Sequence, residues 1–183
     1  ATLASAWVVL QRLEPDRAAV TFHTRSGALH VRRHGQAYKL DLPAYEPRPI
    51  AIPAGLEEAL GASLVEVAGY PGHLLALVDS ADIVRSLAPD FARLAQIDCS
   101  GVVVTASGDD GYDFISRFFA PAIGIPEDPV TGGAHCALVP YWAARTGQTE
   151  FRAYQASRRG GEIGCRLVGA RVELSGTAVL YME

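Results

Sequence analysis

Ala1–Leu13 (ATLASAWVVLQRL) spaces its apolar residues at helical intervals and predicts a helix, mostly buried. The period then changes. AAVTFHT, ALHVRR and QAYKLDL alternate in steps of two around the turns Arg25-Ser26-Gly27 and His34-Gly35, which predicts three strands joined as a meander. Pro43, Pro47, Pro49 and Pro53 mark a loop, and Leu56–Leu60 a short helix. LVEVAGY and HLLALVD read as two strands around the Gly69–Gly72 turn. Ala81–Leu87 and Asp90–Ala95 read as short helices. SGVVVTA and YDFISRFFA are strands around Gly108-Asp109-Asp110-Gly111. A loop, AIGIPEDPVTGG, leads into a second apolar helix, Ala134–Thr146. FRAYQAS, EIGCRL, RVELSG and TAVLYM close the chain as strands.

The end of the chain repeats its beginning. At an offset of 133, Ala1 falls on Ala134, Ala4 on Ala137 and Arg12 on Arg145. Thr24 then falls on Ser157, Arg25 on Arg158 and Gly27 on Gly160, with no gap. Both stretches read helix, strand, Gly turn, strand. Such a repeat implies two similar domains of an α+β fold, each with one apolar helix held inside antiparallel strands. The expected division is 1–86 and 87–183, the second built on a central helix at about 132–146. The first domain is expected to be incomplete. Its helix lacks the two strands and Gly-rich loop that precede the second, and an ammonium at a helix N-terminus has the wrong sign for the macrodipole. The expectation is therefore a longer protein, with at least two strands and a loop ahead of Ala1.

Composition narrows the classes. Of 183 residues, 16 Lys and Arg stand against 20 Asp and Glu, a net charge of −4. That balance argues against a nucleic-acid partner, which calls for a basic face. Apolar residues at 49% and charged ones at 20% support a buried core rather than disorder. No apolar run approaches the roughly 18 residues of a membrane span, and the expectation is no membrane partner. Cys99, Cys136 and Cys165 are far apart and form no CxxC pair, so neither a zinc ribbon nor a disulfide framework is suggested. Reduced thiols in a cytoplasmic protein are the simplest reading.

Chemistry concentrates in Gly124-Ile-Pro-Glu-Asp-Pro-Val-Thr-Gly-Gly-Ala-His-Cys136. Pro129 pushes Asp128 into an extended shape. Thr131 is a natural N-cap. Gly132 and Gly133 follow in the first turn, where glycine is a poor helix former. Without Cβ atoms their N–H groups can close on an anion, and the helix dipole favours negative charge there. A carboxylic acid is the expected guest, with Asp128 binding its amine or handling a proton. An ordinary Pro/Gly turn entering a buried helix, with Asp128 solvated, would have the same spacing.

The run RFFAPAIGIPEDPVTGGAHCALVPYWA (Arg117–Ala143) resembles the hallmark of the phenazine-biosynthesis PhzF-like proteins. QASRRGGEIGCRL and VELSGTAVLYME resemble their C-terminal strands, and ATLASAWVVL their other central helix. The resemblance implies a diaminopimelate-epimerase-like fold: two pseudo-symmetric domains, each a curved, mostly antiparallel sheet or barrel around a central helix. It implies a cofactor-independent isomerase or epimerase that moves a proton on a small amino or hydroxy carboxylic acid, in the biosynthesis of a small metabolite. Both central helices would aim their N-termini at the substrate. Asp128 would be the catalytic residue, the Gly132-Gly133 amides would hold the carboxylate, and Thr131, His135, Ala1 and Thr2, at the two helix starts, would bind the substrate with them. No metal or organic cofactor is expected, and a homodimer is. Many relatives carry Ser where this chain has Gly133. The family's principal acid/base, a Glu upstream of the first central helix, has no counterpart in these residues, nor has the Gly-His pair that precedes that helix. The alternative is therefore a non-catalytic acid-binding or assembly protein on the same fold.

Other residues read more plainly. Cys136, one position past His135, is expected to be structural and buried, though a helix start favours a thiolate. His135 is open to two roles, capping its helix or touching substrate. His23, His30 and His34 match no metal-ligand motif. Glu127 and Asp128, as neighbours on an extended chain, point opposite ways, which leaves Asp128 as the candidate. Arg25 and Arg158 serve their turns, with Arg158 or Arg159 also placed to face an acidic substrate. There is no GxGxxG after a strand, no GxxxxGK[ST] and no GxSxG.

Overall fold

The structure is a computed structural model that describes residues 2–24 and 27–178. Two three-stranded meanders build its centre. The first is β1 (Ala19–Thr24), β2 (Gly27–His34) and β3 (Ala37–Pro43). Shifted by 133 these spans become 152–157, 160–167 and 170–176. The second meander is β10 (Glu150–Gln155), β11 (Gly161–Val168) and β12 (Arg171–Gly176). The repeat seen in the sequence is thus a repeat of the fold. β3 and β12, which correspond, lie antiparallel edge to edge, with Leu40 opposite Leu174 and Tyr38 opposite Gly176. A local two-fold relation between the meanders produces that arrangement.

The remaining strands are β4 (Arg48–Ile50), β5 (Glu66–Tyr70), β6 (His73–Leu77), β7 (Gly101–Ser107), β8 (Phe114–Ala120) and β9 (Ile125–Asp128). All join one sheet in the order β1-β2-β3-β12-β11-β10-β8-β7-β6-β5-β4, with β9 on β8. Pairing is antiparallel except for β8 with β10 and β6 with β7. The fold is therefore α+β and mostly antiparallel, as the sequence predicts.

α5 (Gly132–Thr146) carries no polar face toward solvent at its centre: Ala134–Val139, Tyr141 and Trp142 are buried. It shares one core with Val31, Tyr38, Leu40 and Leu42 of the first meander and Phe151, Ile163, Val172 and Leu174 of the second. Pro140 has no N–H to return to the Cys136 carbonyl. The Tyr45 amide takes that place, donating to it at 2.8 Å, so the chain leaving β3 is fastened to the middle of the helix. A second core lies between the other face of β5–β8 and α2 (Leu56–Leu60), α3 (Ala81–Ser86) and α4 (Phe91–Leu94). β7 alternates between the two cores, Val103 to the first and Val102 and Val104 to the second, and so is buried on both faces.

Three readings need correction. The first helix is α1 (Thr2–Val8) followed by a π-helical segment, Val9–Leu13, and it is not mostly buried. Only Ala6 and Leu10 are; Val8 is 40% and Leu13 69% exposed, because described strands pack on one side of it alone. Arg33 closes its end by donating to the carbonyls of Leu10 and Pro15. The Pro-marked loop contains β4, an edge strand on β5, where Pro49 is tolerated. The loop before α5 contains β9, while α5 begins at Gly132, as the expected helix at about 132–146 has it. Of the expected last strand, Thr177 and Ala178 are not extended pairing residues, and the rest lies outside the described residues, as do Arg25 and Ser26.

Candidate active site

The strand β8 has one edge shared by two partners. Its first half, Phe114–Ser116, pairs with β10; from Phe118 to Ala120 it pairs with β9. β9 therefore runs toward the end of β10, and the chain turns into α5 beside Gln155. This places Asp128, Thr131 and the first turn of α5 together.

Gln155 is wholly buried and uses both ends of its amide. Its Oε1 accepts the Thr131 N–H at 2.8 Å, and its Nε2 donates to the Asp128 carbonyl at 2.7 Å and the Thr131 hydroxyl at 3.1 Å. Ser157 adds a second tie, its hydroxyl donating to the Pro129 carbonyl at 2.8 Å. Neither residue stands out in the sequence as a member of the site. Gln155 follows the alternation of β10, and only the sheet order shows what its amide reaches.

Asp128 is half-buried at the end of β9, extended as Pro129 requires. Its Oδ2 accepts from the Thr131 hydroxyl at 2.5 Å. Thr131 does occupy the N-cap position with extended dihedrals, but its side chain caps no amide. The hydroxyl is turned to Asp128 instead, which leaves the helix start uncapped. Glu127 points elsewhere, as alternation predicts. It is held by Arg117 in a two-pronged ion pair, Nε to Oε1 at 2.7 Å and Nη2 to Oε2 at 3.0 Å. Arg117 in turn donates to the Leu87 carbonyl at 2.7 Å.

No described residue accepts from the Gly132 or Gly133 amides. Gly133 is exposed, and a Cβ built there would meet nothing within 4 Å. At Gly132 a Cβ would reach Leu174 at 3.6 Å and Leu42 at 3.8 Å, ordinary contact. The amides at the start of this 15-residue helix are thus unpaired among the described residues, and Gly133 is open to solvent. That geometry can bind an anion through the amides and the dipole.

His135 is wholly buried, so it has no surface for a substrate. Its Nδ1–H donates to the Thr131 carbonyl at 2.8 Å, and its Nε2 has no partner among the described residues. Burial lowers its pKa to about 4, against a smaller opposing effect of that hydrogen bond. It is a neutral prop under Thr131. Cys136 is buried too, its thiol directed at the Gly132 carbonyl at 3.5 Å. Burial pushes it up to about 12, so the helix start does not make it a thiolate.

Thr2 is half-buried at the start of α1, and Ala1 lies outside the described residues. The two helix starts do approach one strand. A Cβ on Gly176 would lie 3.6 Å from Leu3, and Leu174, two residues earlier on β12, meets Gly132. Residues two apart share a face, so both helices begin over the β3–β12 seam. Among the described residues no group of three His, Cys, Asp or Glu is placed to hold a metal ion.

The sequence signature described as "Phenazine biosynthesis-like protein" matches residues 1–183. The chain belongs to this PhzF-like family. An uncharacterized isomerase of Pseudomonas aeruginosa is 48% identical to it over 183 residues, which are all of this chain and 70% of that one. An uncharacterized isomerase of Halalkalibacterium halodurans is 42% identical, over all of this chain and 70% of its own. Among solved structures, a PhzF-family phenazine biosynthesis protein from Enterococcus faecalis superposes with a TM-score of 0.94 at 40% identity, covering 99% of this chain and 69% of that one. The fold of this PhzF-like chain is accordingly diaminopimelate-epimerase-like, and its relatives are named as isomerases.

Proposed function

We propose that the protein is a cofactor-independent isomerase that moves a proton on a small amino or hydroxy carboxylic acid. One observation carries this reading: Asp128 takes the Thr131 hydroxyl that would otherwise cap the buried helix, which leaves the Gly132 and Gly133 amides unpaired among the described residues. The amides would hold the substrate carboxylate and stabilise negative charge that develops next to it. Asp128 would take up or return the proton, or hold the substrate amine, with Thr131 fixing its orientation. The relatives named as isomerases support the reaction class. The resemblance implies a Glu as the complementary acid/base. On this reading the protein is a homodimer of the cytoplasm, where its three free thiols stay reduced. No helix among the described residues is long and apolar enough to cross a membrane.

The test is deuterium uptake from D₂O by a panel of small amino and hydroxy acids, followed by NMR. Uptake at a carbon-bound position is expected, and Asp128→Asn is expected to slow it by about 10²-fold or more. The second reading is acid binding without catalysis on the same fold. It predicts acids that bind, depend on Asp128 and exchange no proton. Acids that neither bind nor exchange would end both readings.

A further inference from the structure

A cavity of about 380 Å³ opens on the Glu127 side of the turn from β9 into α5, lined by Glu127, Pro129, Ser157, Arg158 and Arg159. Arg158 and Arg159 are exposed, and neither side chain makes an ion pair or hydrogen bond among the described residues. Most arginines of this chain do have such partners, including Arg32, Arg85, Arg117, Arg145, Arg152 and Arg171. The one carboxylate at the cavity, Glu127, is already neutralised by Arg117. The cavity is thus locally basic in a chain whose net charge is −4.

The turn that carries the two arginines is fixed to the candidate site. Ser157 donates to the Pro129 carbonyl at 2.8 Å and accepts the Gly160 N–H at 3.1 Å. Gly160, at φ +70°, lets the chain reverse there. Pro129 is three residues from Gly132, so their Cα atoms are at most about 11 Å apart. A small molecule can span that distance.

We propose that Arg158 and Arg159 bind a second anionic group of the substrate, so that the site prefers acids with a distal carboxylate over matched monocarboxylic acids. This rests on the acid-binding reading of Gly132-Gly133. One carboxylate sits on the helix amides and the distal one on the guanidinium pair, which offers forked donors suited to a carboxylate. Arg158 and Arg159 act as specificity residues, remote from the proton that moves.

The experiment is an NMR titration of the protein with matched pairs: L-glutamate against L-norvaline, and L-2-aminoadipate against L-norleucine. Each pair differs in the distal carboxylate. The expected result is tighter binding of the dicarboxylate by about tenfold, equivalent to about 1.4 kcal/mol. In the doubly substituted Arg158→Gln, Arg159→Gln protein that preference falls to near unity while monocarboxylate affinity holds. Arg159→Lys, which keeps the charge, retains part of the preference. If monocarboxylates bind and the dicarboxylates bind no better, the inference fails and the acid-binding reading stands. If both members weaken equally in the double variant, the arginines serve the turn and the inference fails. Inorganic phosphate that binds the wild-type protein and is not displaced by 2-aminoadipate would make the cavity an independent anion site, which also overturns it. If no acid of either kind binds, the Gly132-Gly133 reading itself fails.

Discussion

At Thr131 one residue holds three functions apart. Its hydroxyl goes to Asp128, its N–H to Gln155 and its carbonyl to His135. A threonine that capped the helix in the usual way would satisfy the amides that the substrate is proposed to use. Diverting the hydroxyl to Asp128 leaves those amides open and orients the carboxylate. His135 donates to the carbonyl in either protonation state, and burial keeps the ring neutral. Its pKa is about 4 in the folded protein, against about 6.5 when unfolded. Above pH 6.5 neither state binds the proton. Below it the unfolded state takes one up and the native state does not, so stability is lost as pH falls from 6.5 toward 4, by up to on the order of 3 kcal/mol. Denaturant midpoints measured across that window in the wild type and His135→Asn should show the slope flattened in the variant. Parallel curves would mean that His135 is charged or solvated.

Among the elements, the strand pairings on β8 decide the site. β9 occupies the edge that β10 leaves free, and Gln155 bridges the two. Gln155→Ala leaves the Thr131 N–H and the Asp128 carbonyl without their protein partner. The expected cost is about 1–3 kcal/mol in denaturant unfolding, with faster hydrogen exchange at the Thr131 amide. Gln155→Glu can still accept from Thr131 but sets a buried carboxylate against the Asp128 carbonyl, and should cost at least as much. An unchanged Thr131 exchange rate in the alanine variant would show that the clamp does not hold the loop. β9 also shows why the sequence missed a strand. IPED has no alternating apolar face, and its flanking prolines read as loop; its extended shape comes from the edge of β8. β4, with Pro49, was hidden for the same reason. Gly-turned strands such as β2 and β11 were legible because each alternates and buries one face.

For the whole molecule, the two meanders meet at β3–β12 and both helices start over that seam. The candidate site, drawn from residues 128–157, lies in the second half of the chain, with its helix starting over that seam. α1 is the more exposed of the two helices, with Val8 and Leu13 presenting apolar surface. Exposed apolar surface of this kind favours association. The expected outcome of size-exclusion chromatography with light scattering is a mass twice that of the chain, independent of dilution through the micromolar range. A monomer at all concentrations would contradict the homodimer.

The repeat at an offset of 133, the buried second helix and the Asp128-to-Gly133 segment were determined by the sequence alone, because each rests on local spacing: period two, period 3.6, or a proline and glycines at set positions. The exposure of α1, the clamp from Gln155, the burial of His135 and the free arginines beside Pro129 were decided only by the tertiary structure. Those depend on which strand edge lies next to which. Such pairings join residues 24 or more positions apart, as in Thr131 with Gln155, and no local pattern records them.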